Sequence, residues 1–117
     1  HLESPDQTVA VQAKRMLALG LAQSAEATDR ADAADLYRSL AKEGLAEPAD
    51  VGNLATVLVN AGSIEEAKAV LLDGLRKFGA AGSGGCHDIG LRLVEATGDR
   101  EFRKQLEAAI AARERRA

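Results

Sequence analysis

The chain has 117 residues, a net charge of -3, and 46% apolar against 28% charged side chains. These values describe one domain able to bury a core without a metal or disulfide, and they exclude both disorder and a basic field for a nucleic-acid backbone. Aromatic residues make up 3%, so the interior must be built from Ala, Leu, Val and Ile, which suits packed helices better than a β-sandwich.

Helix starts and stops recur at nearly regular intervals. Residues 1–4 read as a tag or linker remnant, since His1-Leu2-Glu3 opens without Met, and the chain reads as a piece of a longer protein. A first helix opens at Ser4-Pro5-Asp6-Gln7, where Ser4 caps, Pro5 suits the first helical position and Gln7 completes a capping box. It is expected to run from Pro5 to about Ala27. The second follows Thr28-Asp29, carries Ala33, Tyr37, Leu40 and Ala41 on one face, and stops at Gly44. The third begins at Pro48 and presents Val51, Leu54, Ala55 and Leu58 before Gly62. Ser63-Ile64-Glu65-Glu66 forms the next capping box, opening a fourth helix that buries Ala67, Val70, Leu71 and Leu75 and ends near Gly79. After a Gly-rich loop, a fifth runs from about Gly85 to Thr97 with Ile89, Gly90 and Leu93 inward, closed by Gly98. Asp99 caps the sixth, which carries Phe102, Leu106, Ala109 and Ile110.

No segment alternates apolar and polar residues with a period of two, so the expected class is all-α with six helices in three pairs, about 5–44, 48–79 and 84–115, and no sheet. The basic end Arg113-Glu114-Arg115-Arg116 complements the dipole of a last helical turn. No apolar run approaches the ~20 residues needed to cross a bilayer. One cysteine, Cys86, excludes an internal disulfide and leaves cytoplasm and periplasm both open.

The helices repeat. Met16, Val51 and Cys86 are spaced by 35, as are Leu19, Leu54 and Ile89, and Gly20, Ala55 and Gly90. In the even-numbered helices Ala33 and Ala67 differ by 34, as do Tyr37 and Leu71, with Leu106 35 further on. An amphipathic hairpin cannot cover its own apolar face, and stacking the next copy on it covers both. Small residues at these columns let helices nest.

The middle copy, with Asn53-Leu54-Ala55, Leu58, Gly62, Ala67, Leu71 and Gly74-Leu75 in place, resembles the tetratricopeptide repeat, a 34-residue helix-turn-helix. The first copy keeps Leu19-Gly20, Ala33 and Tyr37 but has Gln23 at an apolar position. The third keeps Ile89-Gly90, Leu93 and Gly98, while Arg103 or Phe102 falls where the family has a small residue, so its second helix is expected to be displaced or to act as a cap. The resemblance covers about residues 14 to 112. It implies a superhelix of helical hairpins that binds a protein or peptide in the concave groove lined by the first helices.

Chemistry has little to work with. Cys86-His87-Asp88 brings nucleophile, base and acid types together, but consecutive helical residues point about 100° apart and do not converge. Cys86 shares a column with Met16 and Val51 and reads as a small buried hydrophobe. His1, His87 and one cysteine offer no zinc spacing. The loop Gly79-Ala80-Ala81-Gly82-Ser83-Gly84-Gly85 lacks the Gly-Lys-Ser/Thr of a phosphate loop and reads as a connector.

The expected function is therefore a non-catalytic interaction module with no cofactor or metal, a protein or peptide partner, and neither nucleic acid nor membrane insertion. Its groove walls are expected to be Leu17, Leu21 and Ser24, joined by Lys14; then Thr56, Val59 and Asn60, joined by Gly52; then His87, Leu91 and Val94, joined by Glu95. Leu17 and Leu21 stand where carboxylate-gripping adaptors of the family carry polar residues, which disfavours that mode. The alternatives are a self-assembly domain that pairs copies through the same apolar face and, third, a cysteine-dependent enzyme.

Overall fold

The computed structural model describes residues 5–82 and 85–116, with side chains for 9–79 and 85–112. These residues form six helices and no strand: α1 (Pro5–Ala22), α2 (Ala27–Lys42), α3 (Pro48–Asn60), α4 (Ile64–Gly82), α5 (Cys86–Thr97) and α6 (Arg100–Arg116). The tag or linker reading of residues 1–4, and part of the glycine loop, lie outside the described residues.

The stops fall where glycine permits a left-handed backbone. Gly44 has φ of 74° and Gly62 of 83°. In each case the next amide closes back five residues, Leu45 N donating to Leu40 O and Ser63 N to Leu58 O, both at 2.8 Å, which satisfies carbonyls the helix leaves open. Gly79 breaks the regular geometry of α4 at φ 79°, ψ 173°, and helical backbone then resumes as far as Gly82. The first part of the fourth helix thus ends at Gly79, where the sequence pattern ends it, and a short helical piece follows the kink.

Three features of the helix ends differ from expectation, the first being that α2 already starts at Ala27, ahead of Thr28-Asp29. The first helix ends at Ala22, five residues short of Ala27, because Ser24 and its neighbours build a turn that competes with the helix. Ser24 Oγ donates to Asp29 Oδ2 at 2.7 Å and accepts from Glu26 N at 3.1 Å, while Arg30 donates to the carbonyls of Ser24 and Ala25. The Ser63/Glu66 box does not form, since the Glu66 carboxylate takes both the Nε and an Nη of Arg38 on α2, each at 2.7 Å. The Asp99 cap does form, accepting from Phe102 N at 2.9 Å.

Successive helices pack as hairpins through α4: α1 on α2, α2 on α3, and α3 on α4. The shortest axis of the molecule is 18 Å, close to the thickness of two packed helix layers at ~8–10 Å between axes. The second helices keep step throughout. Ala33, Ala67 and Phe102 are buried, as are Tyr37, Leu71 and Leu106, and so are Leu40, Gly74 and Ala109. Phe102 stands where the other two copies have alanine, and α6 packs chiefly on α4, with a smaller interface to its own partner α5.

The first-helix columns hold only in the second and third copies. Val51 and Cys86 turn inward, Ala55 is fully buried, and a Cβ on Gly90 would lie 2.9 Å from a Leu106 methyl. In α1 the same columns face solvent: Met16 is 72% and Leu19 44% exposed, and a Cβ on Gly20 would meet nothing within 4 Å. The inward face of α1 is instead Val11, Ala18 and Ala22, packed with Tyr37, Leu40, Leu54 and Leu58.

Candidate interaction groove

Two charged side chains also lie on the inner side of α1. Arg15 Nε donates to both oxygens of Asp50 at 2.9 Å, and its Nη donates to Leu45 O at 3.1 Å. Asp50 is 2% exposed and also accepts from Glu47 N at the start of α3. Both of its oxygens are thereby hydrogen-bonded, as a buried carboxylate requires. Lys14 reaches Ser39 and Glu43 on α2. These bonds tie α1 to the start of α3, so the first pair is fixed to the second by polar contacts as well as by packing.

Between α3 and α5 lies a groove of about 300 Å³, lined by Thr56, Val59 and Asn60 from α3 and by Ile89, Arg92, Leu93 and Ala96 from α5. Val59, Ile89 and Leu93 belong to or pack on the C-terminal core cluster, which fixes the floor. Thr56 spends its hydroxyl on Gly52 O, leaving its methyl as wall. Arg92 forms no ion pair among the described residues. The groove is thus apolar at its base with one cation and one amide on its edges. Its volume sits at the lower bound of the ~300–1,000 Å³ typical of small-molecule sites, and it is shaped by two neighbouring helices.

Of the residues expected in the groove, Thr56, Val59 and Asn60 line it together. His87, Leu91 and Val94 form a different stripe of α5, on the flank away from Ile89, Arg92 and Ala96, with Leu91 40% exposed and Val94 half-buried against the core. Leu17 faces solvent on the outer side of α1 at 55% exposure, Leu21 is half-buried, and Ser24 is in the turn with Asp29. The spacing of Ile89, Arg92, Leu93 and Ala96 at i, i+3, i+4 and i+7 is itself a helical-face signal. A fixed 35-residue offset from α3 marks the same flank of α5, whereas the two helices face each other across the groove through different flanks.

A second cavity, about 290 Å³, opens among α2, α3 and α4 against Tyr37, Val51, Leu54, Val70 and Phe78. The Tyr37 hydroxyl is buried with no hydrogen bond among the described residues, and loss of solvent raises its pKa above that of a free phenol. Cys86 is fully buried at the start of α5. Its Sγ lies 2.9 Å from where a Gly74 Cβ would stand, so the thiol fills the place opened by that glycine. His87 is beside it in sequence and only half-buried. Among the described residues no three His, Cys, Asp or Glu side chains converge as a metal site, and no helix is long and apolar enough to cross a membrane.

No family model, curated protein or solved structure matches the chain.

Proposed function

We propose that this chain is a non-catalytic interaction module of the tetratricopeptide-like class, which holds a peptide or helix of a partner protein in the groove between α3 and α5. The observation that carries the reading is the apolar floor of Val59, Ile89, Leu93 and Ala96 between two first helices of the repeat. The buried second-helix columns support the repeat assignment. An amphipathic segment would bury apolar anchors against that floor, as in other helix-in-groove complexes. Arg92 at the edge favours a segment with an acidic residue beside its anchors, by charge pairing on a half-exposed surface. Cys86 serves packing, and no cofactor takes part.

Selection of binders from a displayed peptide library tests the reading. Thr56 and Ala96 are exposed, so Thr56→Arg and Ala96→Glu should leave helicity and thermal stability unchanged. Together they should weaken the selected peptides by at least tenfold, about 1.4 kcal/mol. Peptides that bind the double variant as tightly as the wild-type chain would place the site elsewhere.

A further inference from the structure

The outer face of α1 has inverted polarity for a surface helix. Among the described residues, four of the five large apolar side chains that stand exposed belong to it: Val9 at 67%, Met16 at 72%, Leu17 at 55% and Leu19 at 44%. From Val9 to Gly20 the outward positions are Val9, Ala10, Gln12, Ala13, Met16, Leu17, Leu19 and Gly20, none of them charged, while Lys14 and Arg15 point inward to α2 and α3. A helix normally turns its apolar stripe to the core and its charges to water. Here the charges are committed inside, and no described residue covers the apolar stripe.

We infer that this face pairs with the same face of a second copy, α1 against α1, antiparallel about a two-fold axis between Ala13 and Met16. The order of residues fits that partner. Val9, Ala13, Met16 and Gly20 are spaced 4, 3 and 4 apart, the seam of a two-helix coiled coil. In the antiparallel register Val9 faces Gly20 of the other copy and Met16 faces Ala13, while on the flanks Leu19 faces Ala10 and Leu17 faces Gln12. Every large side chain meets a smaller one, so the face is complementary to itself, as an isologous interface requires. Head-to-tail stacking is disfavoured by charge, since the far end of the stack is α6, whose exposed positions include Arg103, Lys104 and Glu107. The contact lies away from the groove between α3 and α5 and does not depend on it.

Sedimentation of the full chain across a concentration series tests the pairing. The wild-type chain is expected to have the mass of a dimer at about 100 µM, well above a micromolar dissociation constant. Ala13→Lys alone and Met16→Glu alone are expected to sediment as monomers with unchanged helicity, since both positions are exposed in the single chain. Mixed in equal amounts, these two variants are expected to recover a dimer, because the ammonium introduced on one copy then faces the carboxylate introduced on the other. A monomeric wild-type chain overturns the inference, as does a Met16→Glu variant that remains dimeric. A mixture that stays monomeric overturns the register.

Discussion

Arg15 and Asp50 are 35 positions apart, and nothing in the local pattern of either residue announces the other. Their pairing depends on the way the first hairpin lies over the start of α3, so sequence reading had no route to it. Once formed, it is costly to break on one side only: a buried partner left alone costs about 3–5 kcal/mol. Arg15→Met, which strands the 2%-exposed Asp50 carboxylate, is therefore expected to lower unfolding stability by roughly that amount in urea titrations. The paired replacement Arg15→Met with Asp50→Leu should recover much of the loss, since neither polar group is then stranded. The burial of Cys86 was, by contrast, legible, because it shares a column with Val51 and both are packed against Gly74. The exposure of Met16 in that same column shows the limit of such reasoning: a column states where a residue sits on its helix, and the neighbouring helix decides whether that place is covered.

At the scale of elements, helix ends were read best where one residue acts locally. Gly44, Gly62 and Gly98 take positive φ, and Asp99 caps α6. The end of α1 was missed because Ser24, Asp29 and Arg30 act together, and the absence of the Ser63/Glu66 box was missed because a distant arginine competes for the glutamate. The cross-element pairs give a pH signature. The Lys68 ammonium and the Phe102 amide hold Asp99 below its usual carboxylate pKa, and Arg38 does the same for Glu66. A carboxylate whose pKa is lower when folded lends stability above its unfolded value, near ~4, and loses it as pH falls through the folded one. Thermal stability is thus expected to fall as acid is added below about pH 4. Asp99→Asn should be less stable at neutral pH and show a shallower acid decline, read by melting the two proteins in parallel from neutral to acidic buffer. An identical decline in both would rule Asp99 out as a contributor.

Over the whole molecule, the class and the number of helices were legible from capping and periodicity, whereas the docking of the last pair was only hinted at by Phe102 in a small-residue column. Its physical cause is volume: a phenylalanine does not fit where Ala33 and Ala67 let two helices nest, and it turns to α4, where Lys68 lies 5.6 Å above its ring. This arrangement also bears on how the protein melts. Repeat arrays in which each hairpin meets only its neighbours can fray from an end, unit by unit. Here α4 supplies Ala67 to the N-terminal core cluster and Leu71 and Leu75 to the C-terminal one, and Val59 and Val70 pack against both. Losing α6 would uncover the helix on which the first half also rests, so the two halves should unfold in a single cooperative transition. Tyr37, the chain's one tyrosine, sits in the N-terminal cluster, so its emission reports that half while far-ultraviolet dichroism reports all helices. The two denaturation curves should superimpose, and separated midpoints would mean that the molecule comes apart in pieces.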